Sequence, residues 1–231
     1  MKKNILLIGG SSGIGRKIAE NLKKEHEILV ASRNGNDLPN VINHFEFDVM
    51  KDDIGTLDLP EKIDAFIYCP GSIDLKPFKM LKPENFEKEM HLNFFGLVKS
   101  VHGILDKLKA TDQASLIFFS TVAVKMGMPF HTSVAAAKGA VEGFAKSLAA
   151  EYAPNFRVNV IAPSLTQTPL AAKLLNSEEK KKKMENRHPL KRVGTSEDIA
   201  KLAEFLISDE SSWMTGQVIG LDGGLSTLNV N

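Results

Sequence analysis

Seven short apolar runs, separated by stretches that read as helix or turn, constrain this chain more than any other feature. The runs are NILLIG (4–9), EILVAS (27–32), HFEFDV (44–49), DAFIYC (64–69), SLIFFS (115–120), RVNVIAP (157–163) and QVIGLDG (217–223). Most are near-continuous rather than alternating, as strands covered on both faces are. Between them apolar residues recur at spacings of three and four; Ile14, Ile18, Ala19 and Leu22 line one face of residues 14–24. Strands of this kind separated by helices predict a doubly wound α/β fold, a seven-stranded parallel sheet with helices on both faces. With 231 residues, 43% of them hydrophobic, the chain has the material for one core, so a single domain over 1–231 is expected.

Charge and cysteine content narrow the function. The 29 basic and 28 acidic residues leave a formal charge of +1, which provides no electrostatic footprint for nucleic acid or a membrane surface; neither partner is expected. The single cysteine, Cys69, excludes an intrachain disulfide and a multi-cysteine metal site, and fits a reducing compartment; a cytoplasmic location and no metal are expected. The opening MKKNILLIGGSSG reads as a strand running into glycines rather than a targeting peptide. No run approaches the ~18 apolar residues of a membrane span. The charge run EEKKKK (178–183) reads as the solvated face of a surface helix.

The first strand runs into GGSSGIG, which sets Gly9, Gly13 and Gly15 ahead of a helix, with Ser11, Ser12 and Ile14 between them. Glycines there let the chain turn sharply and let a diphosphate approach bare N–H groups at a positive helix end. A glycine loop alone is a weak signal, but its place after a strand and before a helix strengthens it.

Together with later motifs, this loop resembles that of the short-chain dehydrogenase/reductase family, and the likeness runs almost end to end. Asp48-Val49 resembles the pair that meets the adenine ring, and Asn93 in HLNFFG the helix-distorting asparagine that holds a relay water. Cys69-Pro70-Gly71 stands where the family has Asn-Ala-Gly, and is expected to shape the adenosine pocket through its backbone. NVIAPSLTQTPL resembles the Pro-Gly-x-x-x-Thr motif, giving Pro163 and Thr168, with Ser164 in place of the glycine. The C-terminal HPLKRVGTSEDIAKLAEFLISDESSWMTGQVIGLDGG is similar to bacterial reductases of β-ketoacyl thioesters. The resemblance implies a Rossmann-type domain binding a nicotinamide dinucleotide, a substrate lid around 165–190, and a homodimer or homotetramer joined through the helices of Asn93 and Lys138. Trp213 and Met214 fit core or subunit-contact roles, and the short stretch between Arg33 and Asp48 implies a trimmed peripheral helix. After the second strand, Ser32-Arg33-Asn34 offers a guanidinium and a hydroxyl where an NAD-binding relative would place a carboxylate, so NADP(H) is favoured over NAD(H).

The departure lies in SVAAAKGAVEGF (133–144). Lys138 occupies the family's lysine position, where it would hold the nicotinamide ribose. Four residues earlier, on the same helix face, Val134 stands in place of the proton-donating tyrosine. Thirteen residues before that, Thr121 stands for the serine, with Ser120 beside it; the two tyrosines, Tyr68 and Tyr152, align elsewhere. Three groups could supply the proton: the His131 imidazole, the Lys138 ammonium made more acidic by desolvation, or a water held by Asn93 and Lys138. The expected function is NADP(H)-dependent interconversion of a small-molecule carbonyl and alcohol with an atypical proton donor. The alternatives are a redox-inactive NADP(H)-binding sensor or scaffold, and non-redox proton chemistry.

Overall fold

The structure, a computed structural model, describes residues 2–35 and 38–230. The first half of the chain forms β1 (Asn4–Ile8), α1 (Gly13–Leu22), β2 (Glu27–Ser32), β3 (Asn43–Glu46), β4 (Ala65–Tyr68), α2 (Pro83–Met90), α3 (Gly96–Gly103) and α4 (Leu105–Lys109). The second half forms β5 (Ala114–Phe119), α5 (Val122–Met126), α6 (Thr132–Tyr152), β6 (Phe156–Pro163), β7 (Thr166–Gln167), α7 (Glu178–Arg187), β8 (Gly194–Thr195), α8 (Ser196–Ile207) and β9 (Val218–Leu221).

The seven predicted strands form one sheet in the order β3-β2-β1-β4-β5-β6-β9, every pair parallel. Its side chains alternate between two cores although the strand sequences barely alternate in polarity. Leu6, Ile8, Phe66, Tyr68, Leu116 and Phe118 pack with Leu97 and Val101 of α3 and Val141 and Leu148 of α6. Ile5, Leu7, Ile67, Ile117 and Phe119 pack with Ile18 and Leu22 of α1 and Ile199 and Leu206 of α8. A strand buried on both faces needs apolar residues at every position, which is why the runs are continuous.

Local differences from the sequence reading have local causes. The helix predicted over 14–24 spans Gly13–Leu22, and β3 stops at Glu46 because its partner β2 ends at Ser32, the residue paired with Glu46. The two-residue strands β7 and β8 pair in a small second sheet and are too short to leave a pattern in the sequence. No helix lies among the described residues between β2 and β3; residues 36 and 37 of that stretch fall outside them. Trp213 is fully exposed and is no core residue, because it sits on the turn after α8, whereas Met214 packs against the α1–α8 core.

The strand order reverses between β1 and β4. Connections leave these two strands toward opposite sides, which opens a crevice at their carboxyl ends. The glycine loop follows β1, and Cys69-Pro70-Gly71 follows β4.

Candidate active site

One cavity of about 1180 Å³ lies over the carboxyl ends of the strands. Gly9, Ser11, Ser12, Gly13, Ile14 and Gly15 line it from the first loop, and Ser32, Arg33, Asp48 and Val49 from the ends of β2 and β3. Cys69, Pro70 and Gly71 follow from β4, Thr121 from β5, His131, Val134 and Lys138 from α6, and Pro163 and Thr168 from the β6 end. These positions are scattered over 160 residues of chain, and the shared sheet edge gathers them. Asn93 is the exception: it is fully buried and lies behind the wall.

The glycine loop is closed too tightly for side chains. Gly13 has φ +54°, in the left-handed region, and a Cβ on Gly15 would lie 2.5 Å from the Gly9 carbonyl oxygen and 3.1 Å from Cys69 Sγ. The loop thus presses backbone against backbone while α1 presents its unpaired first-turn N–H groups to the cavity, a ready cradle for an anion. Thr168, whose hydroxyl accepts from Ala171 N (3.3 Å), packs across from Gly13.

At the β2 end, Arg33 is exposed on the cavity rim. Beside it, the Ser32 hydroxyl donates to the Asn34 carbonyl (3.0 Å) and contacts His44 Nε2 (3.0 Å). One Asp48 carboxylate oxygen accepts from Met50 N (3.0 Å), ordering the turn beside Val49.

The remaining polar side chains divide by where they point. Ser120 is buried and donates to Glu142 Oε1 (2.5 Å), so it is turned inward. Thr121 caps α5 by accepting from Ala123 N (3.3 Å), and its O–H hydrogen stays available to the cavity. Neither tyrosine reaches the cavity: Tyr68 donates to Leu92 O (2.6 Å) in the core, and Tyr152 ends α6, stacked on Phe156. His131 precedes α6 and is half-buried; its Nδ1–H donates to Pro129 O (2.7 Å), which leaves Nε2 of the neutral ring a lone pair rather than a donor.

Lys138 is 7% exposed, and burial pushes its ammonium down to about 8 despite the opposing pull of Cys69 and Glu89. Burial also raises the Cys69 thiol to about 12, which makes it a poor nucleophile. Below Lys138 lies a carboxylate that the sequence reading missed. Glu89 is buried, accepting from Ser72 Oγ (2.5 Å) and from Asn93 Nδ2 (2.8 Å). The Asn93 amide also donates to Glu89 O (2.9 Å), where the helix opens into a π-turn over His91–Phe95. Asn93 Oδ1 is left buried without a protein partner, and a Cβ on Gly71 would lie 3.4 Å from it and 3.5 Å from Lys138 Nζ. The four-residue spacing of Glu89 and Asn93 was a visible signal that they share a helix face.

A second missed pair lies on the β6 side, where Ser164 Oγ hydrogen-bonds His188 Nε2; both residues line the cavity. Among the described residues no group of three or more His, Cys, Asp or Glu side chains could hold a metal ion, and no helix is long and apolar enough to cross a membrane.

Comparison with known proteins gives consistent matches. The family described as Enoyl-(Acyl carrier protein) reductase matches residues 9–226. The 3-oxoacyl-(acyl-carrier-protein) reductase of Thermotoga maritima is 31% identical, with 96% of this chain and 97% of that protein aligned. The ligand-free aldohexose dehydrogenase of Thermoplasma acidophilum superposes with a TM-score of 0.89 over 100% of this chain and 97% of that one, at 24% identity. The gluconate 5-dehydrogenase of Burkholderia cenocepacia, solved with NADP and tartrate, has a TM-score of 0.89 at 23% identity over 99% and 97% of the two chains.

Proposed function

The chain belongs to the short-chain dehydrogenase/reductase family of oxidoreductases, and from that premise we propose that it interconverts a small-molecule carbonyl and alcohol with NADP(H), using a proton donor other than the family's tyrosine. The observation that carries this reading is the convergence on one cavity of the glycine cradle, a buried Lys138 and the outward hydroxyl of Thr121. When bound, the nicotinamide gives or takes the hydride.

The chain's own residues supply the rest. The Gly9–Gly15 loop and the α1 N-terminus hold the diphosphate, Asp48 and Val49 border the adenine, and Arg33 takes the 2′-phosphate in a fork of N–H donors. A fold of this shape holds NADP in the gluconate 5-dehydrogenase. Lys138 holds the nicotinamide ribose, Thr121 donates to the substrate oxygen, and Pro163 and Thr168 flank the nicotinamide, with the 165–190 segment as the lid. Asn93 Oδ1, orphaned behind Gly71, holds a water against Lys138. Residues 1–231 act as one domain in the cytoplasm, assembled as a homodimer or homotetramer through α2, α3 and α6.

The test is NADPH consumption against a panel of ketones, diketones, quinones and β-ketoacyl thioesters, with Val134→Tyr alongside. Turnover by the natural protein is expected. Turnover by the Val134→Tyr protein alone would favour the second reading, a redox-inactive NADP(H) binder, the reading that Val134 itself supports. For cofactor choice, Arg33→Ala is expected to weaken NADPH binding by about tenfold to a hundredfold in a fluorescence titration while leaving NADH affinity unchanged. An equal loss for both cofactors would count against the 2′-phosphate role.

A further inference from the structure

With a valine in the tyrosine's place, a hydrogen-bonded hydroxyl is still present on the other wall of the cavity. Ser164 directly follows β6, whose Ile161 pairs with Phe119 of β5. β5 ends at Phe119 and leads through Ser120 to Thr121, and Thr121 and Ser164 both line the cavity. The Ser164 amide donates to Leu221 O (3.3 Å), which ties this point to β9 as well.

The side chain is held as firmly. His188, 3% exposed, has Nδ1 placed 2.8 Å from the Met184 carbonyl, at the last turn of α7. A carbonyl can only accept, so Nδ1 carries the hydrogen and Nε2 of the neutral ring is a lone pair. The Ser164 hydroxyl therefore donates to Nε2. A hydroxyl that gives its proton to an imidazole, itself fixed by an acceptor on its other nitrogen, can take up one proton as it releases another.

We infer that Ser164, positioned and served by His188, transfers the proton between the substrate oxygen and the protein in place of the missing tyrosine. The inference rests on the oxidoreductase reading above. In the oxidising direction the alcohol O–H breaks and its proton goes to Ser164 Oγ. The Ser164 O–H breaks in the same motion and its proton goes to His188 Nε2, leaving an imidazolium held by Met184 O. The carbon loses its hydrogen with both bonding electrons to the oxidised nicotinamide, and the carbonyl forms. In reduction each transfer reverses: His188 Nε2 first takes a proton from solvent water and passes it to Ser164 Oγ as the Ser164 O–H proton goes to the substrate oxygen, and His188 ends neutral. Ser164 is the catalytic residue and His188 the positioning residue. The resting pair, with Nε2 already accepting, stands ready as a base for the alcohol.

Two measurements test this. In the ligand-free protein, the ¹⁵N shifts of the His188 ring are expected to show Nδ1 protonated and Nε2 bare. In turnover with NADPH and the best carbonyl of the panel, Ser164→Gly is expected to lower kcat by about 10²–10⁴-fold with KM within about threefold. Glycine is the residue that the resembling motif has at this position, so the variant should fold. In the Val134→Tyr background, where a phenol again donates, the loss from Ser164→Gly is expected to be at least about tenfold smaller. Equal losses in the two backgrounds, an unchanged kcat, or an Nε2-protonated ring would overturn the inference. So would a natural protein inactive on a panel that Val134→Tyr turns over, though the cavity would then still be a carbonyl site. Inactivity of both proteins would bring down the oxidoreductase reading and the inference with it.

Discussion

Lys138→Met is expected to make the protein more stable at neutral pH and nearly inactive. The ammonium is buried beside Gly71, where an added Cβ would lie 3.5 Å from Nζ, and desolvation lowers it from 10.5 to about 8. In the unfolded chain the group keeps its ordinary affinity for protons, so between those two values the unfolded state binds more protons than the folded one. Stability therefore rises with pH across that window, and below about 8 the folded protein bears the full cost of a buried charge. A difference of this size corresponds to about 3 kcal/mol. Methionine has a similar length and no charge, so the thermal midpoint should rise by roughly 5–10 °C at pH 7. The gain over the natural protein should shrink as pH goes from 8 to 10.5, where lysine is neutral in both states. Turnover should fall by about a hundredfold or more, because a fixed positive charge beside the reacting groups is lost. Calorimetry of the two proteins at pH 7 and pH 10 decides the matter; an equal difference at both would show that Lys138 carries no desolvation cost. Retention of this lysine at a cost in stability is what a functional charge predicts and a structural one does not.

The second large effect is expected from a single methyl group. Gly15→Ala would place a Cβ 2.5 Å from Gly9 O and 3.0 Å from Gly10 Cα. Both are backbone atoms and cannot swing aside, so the loop must open. Overpacking of this kind costs about 1–3 kcal/mol of stability. The larger consequence is at the cradle, because the N–H groups that meet the diphosphate move with the loop. NADPH affinity is expected to fall about a hundredfold, near 2.7 kcal/mol. A dissociation constant within threefold of the natural protein's would mean that the loop does not hold the cofactor.

The fold was largely legible because each strand carries its own signature. The run ILLI of β1 is buried on both faces whatever lies beside it, and Ile14, Ile18 and Leu22 mark the inner face of α1 without reference to the sheet. The rim of the cavity was legible for a related reason. Gly9, Arg33, Cys69 and Thr121 each stand just past a strand, and the carboxyl ends of parallel strands share one edge. The polar groups that face one another across the site were not. Glu89 and Ser72 are 17 residues apart, Ser164 and His188 are 24 apart, and no periodicity links them. Each pair is made by segments that meet only after the chain has folded back over the sheet.

The chemical identity of the site belongs to the sequence alone: a valine in place of the phenol, a lysine one turn on, a serine in place of a motif glycine, and glycines where no Cβ fits. The orientation of its hydroxyls and amides belongs to the tertiary structure. Ser32 bonds to Asn34, Ser120 turns inward to Glu142, Thr121 faces the cavity, Asn93 lies behind it, and Ser164 points at His188. The reason is physical: a polar side chain is oriented by the donors and acceptors packed across from it, and those come from distant parts of the chain, whereas burial and helix periodicity are written in consecutive residues.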